Sequence, residues 1–383
     1  MSAELAVVHS ISSWLGQTLT WVHNQVRHLP EGVRASVVCD RTENLDQFPW
    51  DDLCALSDTG VRALLWKLTR LPQLHDGLLR ACIEARGARI VHSHFGPRGY
   101  RDLAAVRRTC ARHVVTFYGY DVSFVPNQHP SWRRRYQRLF RRVDRVLCEG
   151  PFMASSIAEL GCPEEKIRVQ RLGVELGALE CCPRVWSPGE PLRVLIAASF
   201  REKKGIPDAF DALARLREHV PVEVTVIGDA TREKRALAEK RAILAAIERS
   251  GLADRTRLLG YQPHRVMLEE AYAHHVFLSP SLTPEDGDTE GGAPVSLIEM
   301  SATGMPVVST RHCDIPQVVE HGVTGLLAEE RDVEDVAAQL CWLLEHPERW
   351  REMGEAGRRR VESRFDVLSQ AEALAGIYRE LLQ

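Results

Sequence analysis

Two glutamates, Glu290 and Glu299, bracket a stretch that leaves the backbone bare: Gly291, Gly292 and Ala293, then Pro294 and Val295. Carboxylates accept hydrogen bonds from hydroxyl groups, so such a pair suits a polyol. The residues P-V-S-L-I-E-M-S-A-T-G-M-P read as a short helix. Pro294 suits its first position, where a missing N–H costs nothing, and Gly304 with Pro306 stops it. Free amides at a helix start, with the positive end of the dipole behind them, attract an anion. An anion site beside a polyol site describes a sugar carried on a phosphate.

This stretch resembles the E-x7-E region of the retaining glycosyltransferases of family 4, which have the GT-B fold. The resemblance runs on through residues 296–327, S-L-I-E-M-S-A-T-G-M-P-V-V-S-T-R-H-C-D-I-P-Q-V-V-E-H-G-V-T-G-L-L. Glu299 follows Glu290 by nine positions instead of eight, with Gly292 as the extra residue, which a bulge would absorb. F-R-E-K-K-G is similar to the family motif whose lysine, here Lys204, grips the donor's pyrophosphate. Where the family has an arginine five positions earlier, this chain has Ser199, and Arg201 is the nearest replacement. Leu258-Leu259-Gly260-Tyr261 resembles the segment near the nucleotide base, and Gly228 ends the strand before it.

Three further motifs lie in the first half. T-L-T-W-V-H-N-Q-V (18–26) resembles the first helix of family 4 enzymes that build exopolysaccharides, and makes Gly16 either a point of close substrate approach or an ordinary turn glycine. His92-Ser93-His94-Phe95 resembles the family's H-x-H-F. Thr116-Phe117-Tyr118-Gly119-Tyr120-Asp121 resembles T-F-H-G-x-D, with Tyr118 where the family has a histidine. A tyrosine hydroxyl hydrogen-bonds a sugar but is no base near neutral pH. His94 has no neighbouring ligand spacing that argues for a metal. Asp286-Gly287-Asp288 matches D-x-D superficially and is read as loop, since GT-B enzymes need no divalent ion.

The elements that would carry these residues alternate between strand and helix. Apolar runs at 4–9, 33–39, 89–94, 113–117, 144–148 and 167–171 predict strands of one doubly wound parallel sheet, separated by helices. Residues 40–70 read as loop plus a short helix bearing Trp66. The pattern restarts with strands at 192–199, 222–228, 276–279 and 305–309 and a long charged helix over 230–250. The segment 181–191, C-C-P-R-V-W-S-P-G-E-P, breaks the periodicity and predicts the domain boundary. The expected organisation is an α/β protein of GT-B type, with Rossmann-like domains at 1–185 and 190–365 facing across a cleft. A helix in 366–383 would return to the first domain.

Composition narrows the class. At 383 residues, 44% apolar and 26% charged, the chain suits a two-domain soluble protein. No apolar run approaches the roughly 20 residues that span a bilayer, and the first residues lack a signal peptide's basic start and apolar core. The ten cysteines are scattered without C-x-x-C, as in a reduced cytoplasm. Charge is uneven: residues 1–187 carry 25 basic and 19 acidic side chains, and residues 188–383 carry 24 and 33. In S-W-R-R-R-Y-Q-R-L-F-R-R-V-D-R, the residues Trp132, Tyr136, Leu139, Phe140 and Val143 share a helical face. Arginines 133, 134, 135, 138, 141, 142 and 145 cover the rest. Two readings stand for 133–145: peripheral contact with an anionic membrane at its inner face, or a core-facing stripe with a solvated cationic side. Nucleic acid is disfavoured by the acidic second half.

The resemblance implies a retaining glycosyltransferase acting on a UDP- or GDP-linked sugar, without metal or other cofactor. Glu290, Lys204 and Arg201 would act at the reaction centre. Ser199, Gly228, Tyr261, Gly291, Gly292, Ala293, Pro294, Val295 and Glu299 would hold the donor. Gly16, His94, Tyr118 and Asp121 would take the acceptor, either a polysaccharide or lipid-linked oligosaccharide intermediate or a small natural product of aminoglycoside type. A nucleotide-sugar 2-epimerase of the same fold, and a non-catalytic sugar-binding protein at the membrane surface, are the alternatives.

Overall fold

The structure, a computed structural model, describes residues 4–16, 19–60, 72–217 and 219–383; the expected helix around Trp66 lies outside them. The chain divides into two compact units, Met1–Glu175 with Asp366–Gln383, and Leu176–Phe365. Among the described residues no helix is long and apolar enough to cross a membrane.

The first unit is built on seven strands: β1 Leu5–Trp14, β2 Val33–Thr42, β3 Leu53–Ala55, β4 Ile90–His94, β5 Arg112–Thr116, β6 Arg145–Cys148 and β7 Ile167–Val169. Their order is β3-β2-β1-β4-β5-β6-β7, parallel throughout. Such a sheet is covered on both faces, which is why its strands read as continuous apolar runs. The helix Val367–Glu380 covers part of one face by placing Leu374 and Tyr378 on Leu5, Val7, Ile90, Val114 and Leu147. On the helix Ser131–Phe140 the apolar stripe is core: Tyr136, Leu139, Phe140 and Val143 pack with Phe117, Met153 and Ile157. Arginines 133, 134, 135, 138, 141 and 142 are exposed. No apolar face of this helix is left to enter a bilayer, so any contact with an anionic surface there is electrostatic.

The second unit holds β8 Leu192–Ala197, β9 Val222–Ile227, β10 Thr256–Gly260, β11 Val276–Ser279, β12 Val307–Thr310 and β13 Leu326–Ala328. The order is β10-β9-β8-β11-β12-β13, again parallel. The helix Ile206–Leu216 buries Ile206, Ala209, Phe210, Leu213 and Leu216 at helical spacing against this sheet.

Three expectations need correction. The Pro- and Gly-rich segment at 181–191 is not the boundary, because it is packed into the second unit. Arg184 donates to the carbonyls of His274 at 3.0 Å and Ala271 at 2.9 Å, and Trp186 stacks on Trp350 at 6.1 Å between ring centres. Pro294 stands one residue before the helix Val295–Ala302, since its ψ of 133° is extended although its φ of −56° is helical. Residues 40–60, expected as loop, contain the end of β2 and the edge strand β3.

In doubly wound sheets ligands collect beyond the carboxyl ends of the strands where strand order reverses. Those points lie between β1 and β4 in the first unit and between β8 and β11 in the second.

Candidate active site

In the second unit, two loops meet at the reversal. Gly205, at φ +59°, ends the turn Glu202–Lys204 after β8; a methyl in its place would lie 2.0 Å from the Pro280 carbonyl oxygen. Only glycine lets this turn close on the loop after β11, where the Leu282 amide donates to the Lys203 carbonyl at 2.9 Å. That approach puts Lys204 Nζ 2.7 Å from Glu290 Oε1, and Lys203 Nζ 3.8 Å from Oε2. Ser281 Oγ donates to Oε1 at 3.1 Å. Burial pushes the Glu290 carboxyl up, but Lys204 and Lys203 outweigh it and hold the group at about 2. Glu290 is thus a buried carboxylate ionised at any physiological pH.

The loop bearing Glu290 is fixed from behind. The Glu290 amide donates to His312 Nε2 at 3.1 Å, which leaves the ring proton on Nδ1, 2.8 Å from Glu330 Oε1. Asp286 Oδ1 accepts from the Asp288 amide at 2.9 Å, and Asp288 pairs with Lys203 at 3.0 Å and Arg235 at 2.9 Å. The D-G-D sequence is therefore a loop tied into an ion network.

The remaining donor-side residues surround this pair without all touching it. Arg201 Nη1 lies 3.0 Å from Glu233 Oε2. Gly228, at φ +131°, backs onto the neighbouring loop, where a methyl would fall 1.8 Å from the Ala198 carbonyl oxygen and 3.5 Å from the Ser199 amide. Its own amide donates to Gly260 at 2.8 Å, beside Tyr261, whose half-buried phenol is pushed up by burial. Gly291 turns at φ +76°, and Gly292, Ala293 and Pro294 lead into the helix Val295–Ala302. Ser296 Oγ donates to the Ala197 carbonyl at 3.4 Å, seating that helix start on the end of β8. Glu299 Oε1 faces His264 Nε2 at 2.9 Å, so it engages a different partner from Glu290.

The first unit's reversal point has another character. Parallel pairing sets His9 beside His92. His94 Nε2 lies 3.1 Å from His9 Nδ1, and its Nδ1 lies 2.6 Å from the Tyr118 hydroxyl. His92 bridges Tyr378 and Thr116, each at 2.6 Å. Burial lowers His9 to about 3 and both other imidazoles well below their usual value, and raises the Tyr118 phenol. This is an uncharged hydrogen-bonding cluster. The three histidines are grouped closely enough to gather on a cation, but both nitrogens of His92 and of His94 already face protein hydroxyls or another ring. Asp121 accepts the amides of Gly96 at 2.6 Å and Tyr118 at 2.9 Å, so it braces the loops after β4 and β5. The Leu19 amide donates to the Gly16 carbonyl at 3.0 Å, and the Leu19 side chain, 3.8 Å away, is the nearest thing a methyl at Gly16 would meet.

Two family models match in succession: "Glycosyltransferase Family 4" over residues 20–177 and "Glycosyl transferases group 1" over residues 184–360. A colanic acid biosynthesis glycosyltransferase of Salmonella typhimurium is 34% identical over 297 residues, 73% of this chain and 69% of that one. The chain belongs to glycosyltransferase family 4. An amylovoran biosynthesis glycosyltransferase of Erwinia amylovora is 33% identical, over 75% of this chain and 69% of that one. Among solved structures, Anabaena HepE in complex with UDP and glucose superposes with a TM-score of 0.78 at 17% identity, covering 98% of this chain and 100% of that one. The two doubly wound units are those of the GT-B fold, and this family 4 protein is a glycosyltransferase; the epimerase and binding-protein alternatives fall away.

For the family 4 glycosyltransferase, the structure brings Lys204 and Glu290 into direct contact and sets Ser199, Gly228 and Tyr261 together. It gives Glu299 to His264 and Arg201 to Glu233. Sequence reasoning missed His312, Lys203, Ser281 and His9. Lys203 was legible as the first lysine of E-K-K-G; Ser281, His312 and His9 come from separate elements, and nothing local marks their partners.

Proposed function

We propose that the chain transfers a sugar from a UDP-linked donor to a carbohydrate hydroxyl during polysaccharide assembly, with retention at the anomeric carbon. The observation that carries this reading is the buried Lys204–Glu290 pair at 2.7 Å, flanked by Lys203 in the turn after β8. Here the cations are balanced by protein carboxylates; a diphosphate would take the place of those acids on Lys204, Lys203 and Arg201. Released from Lys204, Glu290 would accept hydrogen bonds from the sugar, as would the amides around Ala293 to Val295 donate them. Glu299 would reach the ribose once it parts from His264. UDP is favoured by the solved complex of HepE, and a polysaccharide acceptor by the biosynthetic roles named for the colanic acid and amylovoran relatives.

The chemistry follows from charge. The bond from the anomeric carbon to the diphosphate oxygen breaks with its electron pair on the phosphate, and preorganised cations stabilise that developing charge more than the ground state. The acceptor oxygen attacks from the same face, and its proton passes to the leaving phosphate oxygen. The uncharged cluster of the first unit would take the acceptor, with the Tyr118 hydroxyl in contact and His94 and His9 behind it as positioning residues. Arginines 133, 134 and 138 would bring the protein to an anionic membrane by charge alone.

A panel of UDP- and GDP-sugars tested for protection against heat unfolding checks the donor, because a ligand that binds only the native state raises its melting temperature. The expected result is protection by one or a few UDP-sugars and by UDP itself. Protection by GDP compounds alone would overturn the donor assignment, and transfer with inversion would overturn the same-face step.

A further inference from the structure

Loops from the three adjacent strands β11, β12 and β13 converge behind Glu290. His312, two residues past the end of β12, is fully buried. Its Nε2 accepts from the Glu290 amide at 3.1 Å, and its Nδ1 lies 2.8 Å from Oε1 of Glu330, two residues past β13. The other oxygen of Glu330 accepts from the Thr283 amide at 2.7 Å, in the loop after β11. Burial pushes the Glu330 carboxyl up, but the hydrogen bonds from His312 and Thr283 outweigh it and hold the group below its usual value. Thr310, the last residue of β12, donates to the Ser281 carbonyl, and Ser281 Oγ donates to Glu290 Oε1 at 3.1 Å. The Glu290 side chain is thus held by Ser281 and the lysines, and its backbone by an imidazole.

An amide N–H can only donate, so the ring nitrogen that faces it must carry a lone pair. A carboxylate at the other nitrogen selects that tautomer, with the proton on Nδ1. Cys313 Sγ, 3.1 Å from Nε2, can add a weak donor there and leaves the choice unchanged. With the proton on Nε2 instead, two N–H groups would face each other and the Glu290 amide would lose its acceptor.

We propose that His312 and Glu330 are positioning residues for sugar transfer: Glu330 fixes the imidazole tautomer, and the imidazole fixes the backbone from which Glu290 reaches the donor sugar. This inference rests on the role of Glu290 proposed above. Neither residue would touch the diphosphate, whose lysines stand on the separate turn Glu202–Lys204. Breaking the relay therefore lowers turnover and spares nucleotide binding.

Variants of the full chain test this. Release of UDP from the UDP-sugar that best protects the parent against unfolding gives kcat and KM, and titration calorimetry gives the affinity for UDP. His312→Gln, whose amide offers one acceptor and one donor, should keep kcat within about fivefold. His312→Leu should lower kcat about 100-fold, since a misplacement near 1 Å costs that much, and should leave UDP affinity unchanged. Glu330→Leu, at a partly exposed position, should lower kcat about tenfold alone but less than about twofold in the His312→Leu background, because members of one network are not additive. In nitrogen NMR of the histidine-labelled chain, the imidazole missing from His312→Gln should carry its proton on Nδ1, and Glu330→Leu should move it toward Nε2. A His312 proton on Nε2 in the parent would overturn the proposal. So would equal losses in His312→Gln and His312→Leu with UDP affinity falling in step, which mark a purely structural role. Parental turnover in His312→Leu with Glu290→Gln inactive would overturn the positioning role alone. Parental turnover in Glu290→Gln would overturn the reading of Glu290 and this proposal with it.

Discussion

At the residue scale, the site is a pair of opposite charges that needs company to stay buried. Removing Lys204 alone would strand the Glu290 carboxylate, a loss on the order of 3–5 kcal/mol; removing both charges spares the fold that penalty. Glu290→Gln is therefore expected to stay folded, lose transfer by orders of magnitude, and bind UDP at least as tightly as the parent, since Lys204 no longer has a competing anion. Calorimetric titration alongside a nucleotide-release assay checks both. The pH dependence has a definite sign. Glu290 is held at about 2, below its unfolded value, so its contribution is complete above about pH 4.5 and lost as pH falls toward 2. The stability gap between the parent and Glu290→Gln, on the order of 2–3 kcal/mol at neutral pH, should narrow over that window in urea unfolding; a gap that widens on acidification would contradict the pairing. Lys204 and Glu290 were legible because each sits in a local run of matching residues. His312 and His9 were not, because their partners lie 22 and 85 positions away and only strand order joins them.

At the element scale, burial decided what periodicity left open. The helix Ser131–Phe140 shows its apolar stripe in the sequence, but a stripe fits a core as well as a membrane. Contact with Phe117 and Phe140 settles it for Tyr136, which is fully buried. Tyr136→Ala is expected to cost about 3–5 kcal/mol in urea unfolding. Converting Arg133, Arg134 and Arg138 to glutamate should leave the melting temperature within a degree or two and weaken sedimentation with anionic vesicles. The edge strands β3, β10 and β13 escaped the sequence reading because none offers an apolar run long enough to stand out. Gly205 would have passed as a turn residue; its neighbour Pro280, from the next strand, is what forbids a side chain. Gly205→Ala is expected to destabilise the protein and to lower UDP affinity together.

At the scale of the whole molecule, each unit has its own sheet and its own buried core. The alternation of strands and helices made both sheets readable. The boundary was misplaced by about ten residues because proline and glycine mark a break in periodicity, not a break in packing; Arg184 and Trp186 carry that segment into the second unit. The fragment 176–365 is expected to fold alone and to keep UDP binding, since Lys204, Glu290 and Glu299 all belong to it, while transferring nothing. Circular dichroism and calorimetry on that fragment check the claim. Tyr378→Phe in the intact chain should leave UDP affinity unchanged, because its hydroxyl serves His92 in the other unit.

The central claim is that Lys204 holds the donor's diphosphate and that Glu290 occupies it in the empty protein. UDP affinity of the parent, Glu290→Gln and the double variant Lys204→Met, Glu290→Gln, measured by titration calorimetry at one salt concentration, tests it directly. The expected order is equal or tighter binding in the single variant and at least tenfold weaker binding in the double one. A double variant that binds UDP as tightly as the parent would contradict it.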